Sequence, residues 1–374
     1  MRARLRDLGI QIGTYPTGPH NAITDVPDVL VGHSTLIYNK PRIARTGVTI
    51  ILPRADSIWN NYAFAGYHAF NGNGEMTGLP WLEESGMLGS AIGLTNTFQV
   101  GVVRDALVSY VVERDYREGF WLPVVAETYD GWLNDINGFH VTKERVYEAL
   151  AGAKSGPVKE GNVGGGTGMI CHDFKGGIGT SSRMVEIEQN KYTIGVLVQT
   201  NYGDRHLFRV DGVPVGRILT HEHTPVPPWP NPFQSSSIIV IIATDAPLLP
   251  VQCRRLAQRA TVGVSRVGSV GHNGSGDIFL AFATGNNLPA KAGLVHNLEM
   301  VPHSRMNPFF EATAEAVEEA ILNALTAAET MTGYENHTVH ALPLDDLQIL
   351  MTDYRKFLAN HRSEEIGGDD VIDP

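Results

Sequence analysis

The sequence predicts an α/β fold in which helices cover sheets, and three observations carry that reading. The runs Lys191–Thr200 (KYTIGVLVQT) and Ile238–Ala243 are apolar and β-branched, as suits strands buried on both faces. Helical and strand patterns mix along the chain, and strands apolar on both sides need cover on both sides. No repeat of fixed period runs through the 374 residues, which argues against a solenoid or propeller. That length suits one large α/β domain or two smaller ones. The strand order is not legible at this level.

Taken in order, Ala22–Leu36 alternates apolar and polar residues about a turn at Pro27-Asp28, which predicts short strands. Gly47–Leu52 (GVTIIL) is a further strand, closed by Pro53. The glycines of Asn71–Gly78 (NGNGEMTG) suit either a turn or backbone held close to another segment. Thr95, Asn96 and Thr97 offer N-caps for a helix through Val102, Ala106, Tyr110 and Glu113. Trp121–Thr128 predicts a strand ending in the turn Tyr129-Asp130-Gly131, and Thr142 caps a short helix to Leu150. The glycine-rich stretch Gly161–Gly179 has no Gly-Lys-Ser/Thr at Walker spacing and no dinucleotide fingerprint, so its glycines are read as a close approach of two segments. The strand Lys191–Thr200 ends at Asn201-Tyr202-Gly203. A helix over Pro250–Val262 and a strand over Ser275–Phe282 follow. Asn307 and Pro308 place an N-cap and an N1 proline ahead of a long helix whose Phe310, Ala314, Val317, Ile321 and Leu325 share a face, with Gly333 as its stop. The charged stretch Glu364–Asp373 is expected to fray.

Composition narrows the function classes. A net charge of −11 argues against nucleic acid as a partner, since phosphate binding needs a clustered positive field. The compact basic group Arg254, Arg255 and Arg259 reads as a solvated helix face. No apolar segment of signal-peptide length precedes Pro16, and no stretch approaches membrane-spanning length. Two cysteines, Cys171 and Cys253, form no framework. Free thiols in a reducing compartment are the simplest account, and a cytoplasmic location is expected.

The stretch that suggests chemistry is Thr224–Pro250, TPVPPWPNPFQSSSIIVIIATDAPLLP. A proline-rich tract, which cannot sit inside a sheet, gives way at Ser235, Ser236 and Ser237 to a core strand. One reading is that three serines simply begin a strand. In the other, a rigidly held Ser237 attacks its own preceding carbonyl and the resulting ester is hydrolysed, which leaves Ser237 as a chain terminus. Such a residue carries both a hydroxyl nucleophile and a free α-amine, whose ordinary pKa of about 8 lets it accept a proton near neutrality. Attack on a carbonyl also needs oxyanion donors. Asn201 and Tyr129, at strand ends, suit that role, although each also suits a turn. Glu127, two residues before Tyr129 and so on the same strand face, could bind a substrate ammonium group or simply be an exposed glutamate. His221 and His223, with His206 not far away, lack a third ligand at recognisable spacing, so no metal is expected. No cofactor is expected either. No Gly-x-Ser-x-Gly elbow supports a Ser-His-Asp triad.

The segments SIIVIIATDAPLLP, GNVGGGTGMICHDFKGGIGTSSR, AETYDGWLND, NGSGDIFLAF and RMNPFFEATAEAVEEAILNALTAAETMTG closely resemble the L-aminopeptidase D-Ala-esterase/amidase family, which includes the β-peptidyl aminopeptidases. The resemblance runs from about Asn21 to about Leu342. It implies an αββα sandwich of the N-terminal-nucleophile type, one domain over 1–374 that cleaves itself into chains 1–236 and 237–374. Ser237 is then the nucleophile, with Ser275 and Asp277 as the neighbours that orient and polarise it. Asn201 and Tyr129 match oxyanion-stabilising positions, and Glu127 the binder of the substrate's free amino group. The implied substrates are small peptides, amides or esters, and the implied assembly is a homotetramer. The residue before the family's cleavage point is usually glycine or asparagine, whereas here it is Ser236, which could itself be the head. The spacing of Ser237 to Thr244-Asp245, Ser275 and Asp277 favours Ser237. An acyltransferase on the same scaffold, like the related ornithine acetyltransferases, and a non-catalytic binding protein are the alternatives.

Overall fold

In the computed structural model the described residues are 2–114, 120–226, 236–290, 293 and 295–365. One sheet holds β1 (Leu30–Tyr38), β2 (Ala44–Asp56), β5 (Ile92–Asn96) and β6 (Val124–Thr128), in the order β1-β2-β5-β6. A second holds β3 (Asn61–Ala69), β4 (Met87–Leu88), β9 (Gly177–Ile187), β10 (Asn190–Asn201), β11 (Ser237–Thr244) and β12 (Ile278–Pro289), in the order β4-β3-β12-β11-β10-β9. Two small hairpins stand apart, β7 (Ile170–Cys171) with β8 (Phe174–Lys175), and β13 (Met331–Thr332) with β14 (Thr338–Val339). The helices are α1 (Leu79–Ser85), α2 (Val100–Glu113), α3 (Lys143–Ala151), α4 (Pro250–Val267), α5 (Asn307–Ala327) and α6 (Leu344–Glu365).

The alternation of side chains along β11 explains the layering. Ile239, Ile241 and Ala243 join one apolar core with Ile50, Leu94 and Val125 of the first sheet. Ile238, Val240 and Ile242 join another with Leu256 and Ala260 of α4 and Val317 and Ala320 of α5. Helices α2 and α3 pack their Val103, Leu107, Val146 and Leu150 into the core of the first sheet. The order is therefore helices, sheet, sheet, helices, the expected αββα sandwich. The isoleucines and the valine of β11 are all fully buried, worth about 1.5–3 kcal/mol apiece. Close approach at Gly179 lets α5 lie on β9, for a Cβ there would stand 2.0 Å from the Ala320 carbonyl oxygen.

Several boundaries differ from the sequence expectation for physical reasons. Ala22–Asp25 is not a strand: Ile23–Asp25 forms a 3-10 turn closed by the Asp25 side chain on the backbone of Ala22. β2 runs through Pro53 because its pairing with β1 ends at Leu52, so the missing N–H disrupts no ladder. β6 begins at Val124 rather than Trp121. The long helix ends at Ala327, well before Gly333, whose Cα instead abuts Leu133 (a Cβ would be 2.0 Å from its carbonyl oxygen). β12 starts only at Ile278, because the amides of Gly276 and Asp277 turn toward other partners at the candidate site. The expectations for the proline-rich tract over 227–235 and for the tail over 366–374 lie outside the described residues.

Candidate active site

Ser237 opens β11 with its side chain buried, directly opposite Asn201, the last residue of β10. Cross-strand partners in an antiparallel pair project to the same face with their Cβ atoms about 5 Å apart. That face is the one turned toward the first sheet, since Ile239 and Ile241 share it. Asn201 is held in one orientation, its Oδ1 accepting the Ile170 N–H at 2.9 Å.

On the other side of β11, Ser236 bridges in parallel to Ser275. The Gly276 N–H donates to the Ser236 carbonyl oxygen at 3.1 Å and also lies 3.1 Å from Ser237 Oγ. One amide is thus shared between the Ser236 carbonyl and the Ser237 hydroxyl. Ser275 Oγ donates to Asp277 Oδ1 at 2.6 Å, and the same oxygen accepts the Ile238 N–H at 3.1 Å. Asp277 Oδ2 is buried without a hydrogen-bond partner among the described residues. Burial pushes this carboxyl up to about 6, against the pull of the Ser275 hydroxyl and the Ile238 amide.

The glycine-rich stretch Asn71–Gly78 resolves here in favour of close approach over a simple turn. Asn71 Oδ1 accepts the Asp277 N–H at 2.8 Å, and the Asn73 N–H donates to the Ser275 carbonyl at 3.1 Å. A Cβ on Gly74 would lie 3.0 Å from Gly276 Cα and 3.2 Å from Glu127 Oε1. The loop therefore wedges between Ser-Gly-Asp and Glu127, and a side chain at Gly74 would have to press Gly276 and Glu127 aside.

Glu127 lies on β6, which reaches the second sheet through Gln199 of β10: its Nε2 donates at 2.9 Å both to Thr128 Oγ1 and to the Thr95 carbonyl. The Glu127 carboxylate is buried, accepting the Glu75 N–H at 3.0 Å and the Thr97 hydroxyl. Burial raises its pKa, only partly offset by those two donors. Tyr129, just beyond the strand end, is half-buried with its ring over Gly131. Its phenol is pushed up by burial and by Asp130.

Ser237, Asn201, Ser275, Asp277 and Glu127 thus come together on strand ends and loops at one end of the two facing sheets, with Tyr129 just beyond the end of β6 beside Glu127. Among the described residues no contact brings His206, His221 or His223 to this group. The Gly276 amide, Asn71, Thr97 and Gln199 join the group only in the structure. A backbone donor leaves no mark in a sequence beyond the glycine that carries it. The NGNGE glycines are the available signal for Asn71. Among the described residues no cluster of histidine, cysteine, aspartate and glutamate could hold a metal ion.

Residues 21–339 match peptidase family S58. The chain is 46% identical over 372 residues to beta-peptidyl aminopeptidase BapA of Sphingosinicella microcystinivorans, covering 95% of this chain and 93% of the relative. Among solved structures it is similar to a Burkholderia sp. beta-aminopeptidase (TM-score 0.88, 51% identity, 94% of this chain and 99% of that one). It is also similar to the L-aminopeptidase D-Ala-esterase/amidase of Ochrobactrum anthropi, described as a variant of the Ntn hydrolase fold (TM-score 0.86, 46% identity, 94% and 98%). Matched over most of its length by family, relatives and fold alike, this chain belongs to peptidase family S58.

Proposed function

We propose that this chain is a self-processing serine aminopeptidase that releases N-terminal residues from small peptides, amides or esters bearing a free amine. The observation that carries the reading is Ser237 at the head of a core strand, opposite Asn201 and within reach of the Gly276 amide. The names of the relatives, beta-peptidyl aminopeptidase and L-aminopeptidase, support the substrate class.

In the first step Ser237 Oγ attacks the Ser236 carbonyl carbon and the C–N bond breaks, passing the acyl group from nitrogen to oxygen. Water then hydrolyses that ester. The products are residues 1–236 and 237–374, the second beginning with a free α-amine. In turnover this amine takes the Ser237 hydroxyl proton as Oγ attacks the substrate carbonyl, with Ser275 and Asp277 orienting the pair. Negative charge on the carbonyl oxygen meets Asn201 Nδ2 and the Tyr129 phenol. Glu127 receives the substrate ammonium, whose positive charge offsets the cost of ionising a buried carboxyl. The α-amine returns its proton to the leaving amine, and water attacking the acyl-enzyme completes the cycle.

Transfer of the acyl group to an amine acceptor is the less favoured outcome, because the relatives carry hydrolase names. The reading extends to a homotetramer of processed protomers, the assembly that the resemblance implies. Two buried free thiols, Cys171 and Cys253, suit a cytoplasmic location. Among the described residues no helix is long and apolar enough to cross a membrane.

Intact mass and N-terminal sequencing test the proposal. Two fragments are expected, the smaller starting at Ser237, merging into one band in Ser237→Ala. Active protein that is a single unbroken polypeptide refutes it. A fragment starting at Ser236 would reassign the nucleophile.

A further inference from the structure

We propose that Lys175 is a positioning residue for the Asn201 amide, acting through the β7–β8 hairpin; this rests on the oxyanion role proposed for Asn201. Lys175 is fully buried, an uncommon place for an ammonium group; Asp130 attracts it, yet among the described residues the hydrogen bonds of its Nζ all go to backbone carbonyls. It donates to the Met169 and Gly176 carbonyls at 2.8 Å each, and reaches that of Gly166 at 3.5 Å. These three carbonyls bracket the hairpin in which Ile170 pairs across from Lys175 itself.

Ile170 is the residue whose N–H fixes Asn201 Oδ1. An amide side chain presents one acceptor and two donors on opposite branches. Holding the acceptor on Ile170 therefore leaves the Nδ2 donors for the side of Ser237, the cross-strand partner of Asn201. Without that anchor the amide is free to turn and offer its oxygen to a developing oxyanion, the wrong sign of charge. The glycines around the hairpin have no side chains with which to brace it, and Gly176 already touches the Thr200 carbonyl oxygen (a Cβ would stand at 2.7 Å). Lys175 supplies the bracing. Burial pulls its ammonium down to about 7, with Cys171 and Asp130 acting in the other direction. A hydrophobic side chain of similar length would avoid that burial cost, so simple packing does not account for a lysine here.

The experiment compares wild type, Lys175→Met, Asn201→Ala and the double variant, measuring kcat and KM for hydrolysis of an alanyl p-nitroanilide. Asn201→Ala is expected to lower kcat by about 10²–10³-fold. Lys175→Met is expected to lower kcat by about 10-fold or more with KM changed less than about threefold, and to add little to Asn201→Ala, because both act through one amide. Lys175→Gln, which keeps a donor, should recover part of kcat, and it replaces the methionine variant in the same comparison should that one not fold. A Lys175 variant with unchanged kcat overturns the inference. So do losses that multiply in the double variant, since they mark a general structural role. If Asn201→Ala itself leaves kcat intact, the oxyanion assignment has failed, and this inference falls with it.

Discussion

Asp277 offers the sharpest test of the site's electrostatics. Its carboxyl is fully buried and shifted from 3.8 to about 6, with Oδ2 unpartnered among the described residues. At about 1.4 kcal/mol per pH unit, this displacement corresponds to about 3 kcal/mol. The folded-state pKa is raised, so the group favours the fold fully below its unfolded pKa, and that contribution is lost as pH rises through about 6. Between pH 5 and pH 8 this single group should withdraw about 1.4 kcal/mol of stability. Asp277→Asn removes the titration. In the uncleavable Ser237→Ala background, urea midpoints should therefore fall less from pH 5 to pH 8 when Asp277→Asn is added than when the aspartate is kept. At pH 8 the asparagine protein should be the more stable by up to about 3 kcal/mol. The background keeps one continuous chain, and the difference between the two proteins cancels other titrating carboxyls. Parallel pH profiles would refute the assignment of a strained, buried charge to this residue. In the processed enzyme proposed above, protonation of Asp277 would add a second ionisation near pH 6 to the acid limb that the α-amine base sets at higher pH, so kcat should fall more steeply below about pH 6 in wild type than in Asp277→Asn.

Three further outcomes are expected. Glu127→Gln should raise KM for free-amine substrates about 10- to 100-fold, the value of a charged hydrogen-bonded contact, while an N-acetylated substrate stays equally poor; steady-state kinetics on both substrates checks it. Gly74→Ala should lower kcat/KM by about tenfold or more, since its methyl would press on Gly276 and Glu127 together, with the thermal midpoint little changed. Gly179→Ala, on the face of β9 turned toward α5, should show the opposite split: about 1–3 kcal/mol of stability lost to collision with the Ala320 carbonyl, read by denaturant unfolding.

Much of the architecture can be read from residues because the core strands announce themselves. Ile238–Ala243 is apolar at every position, and only a layer on each side accounts for that. β3 does not stand out in the sequence because its Asn61, Tyr62, Tyr67 and His68 are only partly buried and break the apolar run. Glycines and hydroxyls hide β9: Thr180, Ser181 and Ser182 are buried polar residues whose side chains bond to Val196, Ala316 and Asp25 from distant segments. α6 mixes charge with scattered apolar residues and shows no clean stripe. At the site, side-chain chemistry and resemblance together point to Ser237, Asn201, Tyr129, Glu127, Ser275 and Asp277. What composition does not convey is the scaffolding behind them, namely the shared Gly276 amide, the Asn71 acceptor and the Lys175 clasp. Those depend on segments brought together from far apart in the chain.

The order of strands in the larger sheet has a mechanical implication. β11 and β12, from the C-terminal third, sit side by side between β3 and β10, which come from the other part of the chain. A break just before Ser237 would open the covalent thread at the edge of β11 without removing a single rung of that ladder. Each piece would then grip the other along two seams and through the helix layer on the larger sheet, where α5 lies on β9 and β10 and α4 on β3. Neither could leave without dismantling the sheet, so separation would demand unfolding rather than dissociation, and separately made halves would be poor candidates for reassembly.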